Sequence, residues 1–361
     1  MKKDGKGFFK EFKMLPEESH FYTPLYNSSE HSFQTERYGE AHTVGCRNSQ
    51  EDASLFVRSS ALIKLKPEQI AERMWSAIKY INLKVIEAGA GLGQGTTACI
   101  ACIHQNHLIT ANLADTVLFA ALYSEEGKFI AVTRLTENLH HPEEEKERIE
   151  LNGGRILYGR VNGSLAVGRA IGDHHHNSIS EIISSDPALA IFPINQLIGS
   201  LNPDNLAVGQ LKFIMTCDGF TEAADILHKE HHTYMKNCLS YIENNRQEED
   251  FAFALLNEAL ERSNDNISVS VLTYDSHCAN FEYFAIFDGH GGQNTVDMVV
   301  THFADSFNAQ IALSEDDYQK QPLSTTNNQA NFLRDNSAMF KVVYEDGVAA
   351  NEPKSGSDLG F

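Results

Sequence analysis

Residues 284–294 read FAIFDGHGGQN, in which an apolar strand runs into a compact Asp-Gly-His-Gly-Gly turn. A strand end of this kind presents Asp288 as a hard oxygen ligand, and the glycines let the backbone approach whatever the carboxylate holds. His290 follows two residues later, and an imidazole can donate a proton near neutral pH. The stretch therefore predicts a divalent-cation site, although an Asp-Gly pair is also an ordinary turn sequence.

Acidic residues mark four separated turns or strand ends in the chain. These lie in the stretches NSQED, FIMTCDGF, NDNISV and FDGHGG, and they supply Glu51, Asp52, Asp218, Asp265 and Asp288. Carboxylates that converge at buried strand ends repel one another and lose hydration, so they need a cation such as Mg²⁺ or Mn²⁺. Each acid taken alone is better explained as a turn residue. Taken together, they predict an oxygen-lined metal centre.

Composition limits the classes of protein to which the chain can belong. It has 361 residues, 42% of them apolar, which is enough material for a large core. The net charge of −20 disfavours nucleic acids and anionic membranes as partners, because an acidic field repels phosphate groups. We find no run of about 18 apolar residues and no apolar secretory signal at the N-terminus. We therefore expect a cytoplasmic protein, and we also expect it to be a monomer.

The six cysteines are interpreted as reduced core thiols, because they are scattered without the paired spacing of a metal site. Cys99 and Cys102 form a C-x-x-C sequence within a strand-like run, TTACIACI. Side chains three positions apart in a strand point to opposite faces. The spacing therefore argues against a redox pair.

Hydrophobic periodicity predicts an α+β order with mostly antiparallel strands. A helix is expected over 67–83 after its initial proline, and a hairpin over 97–121 that turns at 104–107. Strands are expected at 211–218 and 266–274, with helices between them. A glycine-rich loop, GAGLGQG, suggests dinucleotide binding, but it follows a helix and precedes a strand, the reverse of the order that this motif requires.

Several stretches resemble one known family, the metal-dependent serine/threonine protein phosphatases, also called the PPM or type 2C phosphatases. RVNGSLAVGRAIGD at 160–173 is the most specific of them. The other matching stretches are GCRNSQEDA (45–53), GQGTTACIA (93–101), ANLADT (111–116), EKERIELNGGRI (145–156), TCDGFTEA (216–223), SNDNISVSVL (263–272) and FAIFDGHGG (284–292).

The resemblance implies a β-sandwich of two antiparallel sheets flanked by α-helices, in four layers (αββα). It also implies a phosphomonoester hydrolase that acts on phosphoserine and phosphothreonine in proteins, by direct attack of a metal-activated water. Two Mg²⁺ or Mn²⁺ ions are implied. Carried over by position, Asp288 bridges both ions, the Gly289 carbonyl binds one, Asp218 and Asp265 complete the shell of the first, and Glu51 holds the second.

The remaining family positions belong to residues that support a metal ion or act on the substrate. Asp52 corresponds to a residue that supports the second ion, and Asp115 to the acid that joins Asp218 at a third, weaker ion in some members. Arg47 corresponds to the guanidinium that grips the substrate phosphate. His290 corresponds to the acid that protonates the leaving oxygen. Ala114 stands where the family has glycine, which leaves the local backbone geometry and the third ion open.

The order of these stretches departs from the family pattern, in which the DGHGG strand follows soon after the ED strand. The resemblance therefore implies a circularly permuted domain. We expect an N-terminal arm at 1–35, the phosphatase domain at 36–312 with its DGHGG strand and first helix moved to 281–312, and a C-terminal extension at 313–361. That extension is interpreted as either a duplication remnant or an acidic tail. A catalytically silent pseudophosphatase that acts as a binding module is the alternative function.

Overall fold

The computed structural model describes residues 21–22, 30–34, 37–59, 62–136, 139–174, 182–242, 248–275, 281–320, 333–334 and 342–344. Its strands are β1 (Phe21–Tyr22), β2 (Glu30–Gln34), β3 (Tyr38–Thr43), β4 (Asp52–Ser59), β5 (Gly95–Thr96), β6 (Ala98–His104), β7 (His107–Leu113), β8 (Val117–Ser124), β9 (Phe129–Arg134), β10 (Ile156–Leu157), β11 (Arg160–Val161), β12 (Ile171–Gly172), β13 (Ala188–Pro193), β14 (Val208–Thr216), β15 (Ile267–Thr273), β16 (Phe281–His290), β17 (Leu333–Arg334) and β18 (Val342–Tyr344). Its helices are α1 (Pro67–Ala88), α2 (Lys146–Leu151), α3 (Ile194–Leu201), α4 (Asp218–Ile226), α5 (His231–Leu239), α6 (Glu248–Leu260), α7 (Asn294–Ala312) and α8 (Glu315–Gln319).

Two sheets form the centre of the molecule. The first has the strand order β1-β4-β16-β6-β7-β13-β17, and β5 and β12 pair beside the end of β16. The second has the order β18-β9-β8-β14-β15-β3-β2. Neighbouring strands are antiparallel except for β13 and β17. In the first sheet β16 therefore lies between β4 and β6, although it comes long after both of them in the chain.

Three apolar clusters separate four layers. The first cluster lies between α1, α7 and the outer face of the first sheet, and the second fills the space between the sheets. The third packs α4, α5 and α6 against the outer face of the second sheet. Cys102 belongs to the first cluster and Cys99 to the second, so the C-x-x-C side chains do point to opposite faces. The predicted α+β sandwich with flanking helices is confirmed.

The longest helix, α1, has the features predicted for 67–83. It begins at Pro67, buries one apolar stripe, and ends where Gly89 adopts the left-handed conformation with φ of 68°. It continues to Ala88, five residues beyond the predicted end, because no helix-breaking residue occurs before Gly89. None of the helices in the described part of the chain is long and apolar enough to cross a membrane.

The predicted hairpin is formed by β6 and β7. Gln105 and Asn106 form its two-residue turn, and their φ values of 47° and 60° are both positive. A two-residue turn of this conformation matches the right-handed twist of the flanking strands, which stabilises the hairpin.

Two elements outside the expected phosphatase domain contact it, and one cysteine was wrongly interpreted. Within the segment predicted to be an arm, β2 pairs with β3 and so extends the second sheet back to residue 30. Within the predicted extension, α8 packs on α1, because the Tyr318 ring lies 3.4 Å below the guanidinium of the buried Arg73. The sequence SEDDYQK is too polar to reveal this contact.

Cys46 is exposed and is not a core thiol, since it lies in the turn after β3.

Candidate metal centre

Two neighbouring strands of the first sheet, β4 and β16, bring Asp52 and Asp288 together. Asp288 in β16 is the cross-strand partner of Asp52 in β4. The backbone of Asp288 is fixed by Thr97, which donates its N–H to the Asp288 carbonyl at 2.9 Å. Ser268 Oγ donates to Asp52 Oδ2 at 2.6 Å. Strand pairing therefore brings two acids from distant parts of the sequence to the same end of the first sheet.

Gly289 must be a glycine because the chain of Glu51 crosses directly over it. The Gly289 N–H donates to the Glu51 carbonyl at 3.1 Å. A Cβ at this position would lie closer to that carbonyl than the 3.0 Å that real Cβ atoms keep from other heavy atoms. The Glu51 side chain accepts from Ser49 Oγ at 3.3 Å, and its N–H donates to Asn266 Oδ1 at 2.8 Å. The Asp-Gly sequence thus lets β16 dock against the turn that carries Glu51.

Asp218 reaches the same region from the end of the second sheet, and Asp115 reaches it from the turn that joins the two sheets. Asp218 begins α4, directly after β14, and its carboxyl hydrogen-bonds to that of Asp288. Asp115 lies in the turn between β7 and β8. The preceding Ala114 adopts φ of 80°, a conformation that costs a residue other than glycine roughly 1 kcal/mol or more, and its N–H donates to His140 Nδ1 at 3.0 Å. The chain therefore keeps the backbone geometry of a glycine position without having a glycine there.

Arg47 and Asp265 form an ion pair at the mouth of the site. The Arg47 side chain is 59% exposed, and the charge of Asp265 raises its pKa against the opposing effect of burial. The turn that carries Arg47 is tied to the strand β15 by Asn266, whose amide donates to the carbonyls of Val44 and Ser49 at 2.9 Å each. An exposed guanidinium is thereby held beside the acidic cluster.

Four of the carboxyl groups at this site share one electrostatic property. Loss of hydration is the main factor that raises the pKa of each, and the charges of neighbouring carboxylates add to it in Asp52, Asp115, Asp218 and Asp288. The pKa of Asp288 is raised well above its ordinary value. Four acids that resist joint ionisation need either protons or a cation, and oxygen donors suit Mg²⁺ or Mn²⁺. The donor set therefore fits the divalent metal that the sequence predicts.

Cys217 is a member of this cluster that the sequence interpretation missed. Its Sγ lies with carboxylate oxygens of Asp52 and Asp288 in a group whose atoms are all within 4.8 Å of one another. The thiol donates to the Asn266 carbonyl at 3.4 Å, and burial raises its pKa well above the ordinary value. A neutral thiol at the floor of the site follows. Its position immediately before Asp218 was the available signal.

A buried polar network behind Asp52 was also missed. Ser268 links Asp52 to His42 Nδ1 at 2.7 Å, and His42 Nε2 contacts Ser54 Oγ at 3.0 Å. Ser54 Oγ donates to Glu40 at 2.7 Å, and burial raises the pKa of Glu40 to about 7. Glu40 and His42 alternate along β3 at the inward positions, which is the sequence signal for such a network. Polar contacts therefore connect Asp52 to the space between the sheets.

His290 lies beside the carboxylates and has its own partner. Its Nε2 is 2.7 Å from Asp173 Oδ2, a residue to which the sequence interpretation gave no role. Burial lowers the pKa of His290, but the hydrogen bond and charge of Asp173 outweigh burial, so the net direction is upward. The GAGLGQG loop follows α1, as expected, and its Gln94 carbonyl accepts from the Asp173 N–H at 2.8 Å. This loop therefore supports the His290 pair.

A family model described as protein phosphatase 2C matches residues 30–267, more than half of the chain. Probable protein phosphatase 2C 3 of Paramecium tetraurelia is 28% identical over 54% of this chain and 58% of its own length. Probable protein phosphatase 2C 57 of Oryza sativa subsp. japonica is 28% identical over 58% of this chain and 54% of its own. Protein phosphatase ppm-1.G of Caenorhabditis elegans is 34% identical over 36% of this chain and 24% of its own length. The matches span less than two thirds of each relative.

Solved structures with a similar fold include serine-threonine phosphatase 2C from Toxoplasma gondii, with a TM-score of 0.47, 14% identity, and coverage of 71% of this chain and 99% of that one. Another is the serine/threonine phosphatase Stp1 from Staphylococcus aureus, with a TM-score of 0.43, 14% identity, and coverage of 70% of this chain and 100% of that one. The family model spans the turn of Arg47 and the start of α4 and runs to the beginning of β15. This chain belongs to the protein phosphatase 2C family.

Proposed function

We propose that this protein hydrolyses phosphoserine and phosphothreonine in proteins with the help of divalent metal ions. The observation that carries the proposal is the convergence of separate strand ends on one cluster of acids whose pKa values are raised together. Membership of the protein phosphatase 2C family supports the same reaction. The alternative, a binding module without activity, is disfavoured because the chain keeps the acids, the arginine and the histidine that the reaction needs.

The metals that we propose are two Mg²⁺ or Mn²⁺ ions, with Asp115 and Asp218 available for a third. Bound metal would supply an activated water and would neutralise charge on the phosphate. The groups that would hold the two ions are the Asp288 carboxylate, the Gly289 carbonyl, and the side chains of Asp218, Asp265 and Glu51, with Asp52 in support.

The protein's own cation and acid would act on the substrate. Arg47 presents a planar guanidinium at the exposed rim, and such a group binds two phosphate oxygens at once. Its contact with Asp265 keeps it beside the cluster, so a phosphate held by Arg47 lies against the acids that hold the metal. His290 would donate a proton to the serine or threonine oxygen as the phosphate leaves. Together these groups position the ester and complete the departure of the alcohol.

The proposed function predicts metal-dependent turnover. Hydrolysis of a phosphothreonine peptide and of p-nitrophenyl phosphate should occur with Mn²⁺ and stop in EDTA, because the acids without a cation retain protons in place of metal. Adding Mn²⁺ after EDTA should restore the rate. A folded protein, verified by circular dichroism, that turns over neither substrate with Mn²⁺ or Mg²⁺ would favour the binding-only alternative.

We further infer that the domain is circularly permuted. This inference is supported by the position of β16 between β4 and β6, where a strand directly following β4 in the chain would be expected to pair. Phe281 at the start of β16 is the cross-strand partner of Ser59 at the end of β4, so a tight turn can join them. At the other end, Glu315 accepts a hydrogen bond from Gln69 in the first turn of α1 at 2.8 Å. The segment 281–320 therefore fits between residues 59 and 62.

A rearranged chain tests the permutation. Moving 281–320 to a position between residues 59 and 62, with short linkers, should give a soluble protein with metal-dependent turnover close to that of the original. Chain ends that already lie side by side can be joined without moving the core. The Asp288→Asn version of the rearranged chain serves as the inactive control. An insoluble or inactive rearranged chain would count against the inference.

A further inference from the structure

We propose that Asp173 is a positioning residue that fixes the ring of His290 for proton donation to the substrate. This inference rests on the proposed function, since it assigns a partner to the acid of that reaction. Asp173 Oδ2 lies 2.7 Å from His290 Nε2. A carboxylate can only accept, so Nε2 carries the hydrogen of this bond and Nδ1 is left to face the substrate.

The pair is built by two short strands, β5 and β12, and the end of β16. In the middle strand, β5, Gly95 is the partner of Gly172 on one side and of His290 on the other. Asp173 directly follows Gly172, so its side chain reaches His290 across β5. The register of two strand pairs therefore determines which acid meets the histidine.

Gly95 leaves the space in which the two side chains meet. A Cβ at Gly95 would lie within 3.0 Å of both Asp173 Oδ2 and His290 Nε2, closer than real Cβ atoms come to other heavy atoms. Each of the other natural residues has a Cβ and would push the pair apart. The glycine is thus required by the contact itself and not by a positive φ, since Gly95 has none.

Asp173 holds a backbone conformation that residues other than glycine rarely adopt. Its φ is 54°, and its N–H donates to the Gln94 carbonyl at 2.8 Å, which helps to keep it there. Strained conformations of this kind concentrate at functional sites, where the surrounding structure maintains them. The side chain of Asp173 is 9% exposed and that of His290 is 28% exposed. The acid therefore lies behind the histidine, and the histidine has an open side.

In the reaction, the bond between phosphorus and the serine or threonine oxygen breaks and its electron pair stays on that oxygen. The doubly protonated His290 ring gives its Nδ1 proton to that oxygen and becomes the neutral Nε2–H form, and a water molecule provides the incoming oxygen and releases a proton to solvent. Asp173 keeps its bond to Nε2 throughout. Its effect should therefore depend on how much the leaving group needs a proton.

The leaving group provides the test. In Asp173→Asn, kcat for a phosphothreonine peptide should fall about 10- to 100-fold, the usual effect of losing a group that orients a functional histidine. The kcat for p-nitrophenyl phosphate should change little, because nitrophenolate leaves without protonation. KM should stay the same for both substrates. Gly95→Ala should reproduce this selective loss, and Asp173→Asn should add little to His290→Gln.

Asp186→Asn is the matched control. The Asp186 carboxylate accepts a hydrogen bond from Lys79 at 2.9 Å and does not belong to the metal centre, so both activities should persist in this variant. Equal losses on both substrates, or no loss on the peptide, would overturn the proposal.

A ¹⁵N spectrum of the Mg²⁺-loaded protein gives a second readout that does not require turnover. At a pH at which the ring is neutral, His290 should be the Nε2–H tautomer in the wild type and a mixture in Asp173→Asn, and an unchanged tautomer would also overturn the proposal. Loss of both activities in the wild type would instead contradict the proposed function.

Discussion

Asp288→Asn should lower Mn²⁺-dependent turnover of a phosphothreonine peptide about 10³-fold or more, since a metal at such a centre contributes several kcal/mol and each 1.36 kcal/mol is a factor of ten. The reason is that Asp288 is the acid that the other carboxylates surround, as its strongly raised pKa indicates. Asparagine keeps the shape of the side chain and removes its charge. Steady-state kinetics with saturating Mn²⁺ measures the effect.

The same substitution should have the opposite effect on stability without metal. The folded-state pKa of Asp288 is raised, so its contribution to stability is present below the ordinary pKa and is lost as the pH rises through the folded value. At pH 8 in EDTA, removing this charge should therefore raise the Tm. Addition of Mn²⁺ should then stabilise the variant less than the wild type, because one ligand is missing.

Asp297→Asn is the matched control for both measurements, since Asp297 lies in the first turn of α7 outside the acidic cluster. It should retain the turnover and the metal-induced increase in Tm. If Asp288→Asn keeps full activity, or lowers the Tm in EDTA at pH 8, Asp288 is not the central ligand.

Lys212→Ala should destabilise the protein by about 3–5 kcal/mol, because it leaves a buried carboxylate without its cation. Lys212 is fully buried in β14, where burial lowers its pKa and Glu248 opposes that shift. Its Nζ donates to both oxygens of Glu248, at 2.7 and 2.6 Å, and to Thr273 Oγ1 at 2.9 Å. These bonds attach the first turn of α6 to the second sheet. Urea unfolding followed by circular dichroism gives the free energy.

The double variant Lys212→Met/Glu248→Leu should recover most of that loss, since replacing both members of a buried ion pair with apolar residues is often neutral. Lys212 lies in the middle of β14, and neither member of the pair belongs to the acidic cluster, so turnover per folded molecule should be unchanged in either variant. A cost below about 1 kcal/mol for Lys212→Ala would place the pair in the range of an exposed salt bridge.

Much of the fold was predictable from local patterns. The period of Ile70, Met74 and Ile78 determined the buried stripe of α1, and the polar pause at residues 104–107 determined the β6–β7 turn. The polar segment that includes Tyr318 gave no such signal. Its packing depends on a pocket that only the folded α1 provides.

The candidate site was predictable to the extent that its acids adjoin apolar strands. Asp52, Asp218 and Asp288 were identified in this way, and the structure brings them together. Cys217 was missed because a cysteine next to a strand end looks like any buried thiol. Asp173 was missed because nothing near it in the sequence indicates a histidine partner.

By itself, the sequence determined the secondary-structure elements, the family, and the residue types available for metal and phosphate chemistry. Only the tertiary structure decided which of those residues meet, including the pairing of Asp173 with His290 across 117 positions and of His42 with Ser268 across 226. The physical reason is the distance along the chain over which each kind of interaction acts. Periodicity, capping and turn preferences act over a few residues of one segment, whereas these contacts depend on strand register and on the space that a distant glycine leaves open.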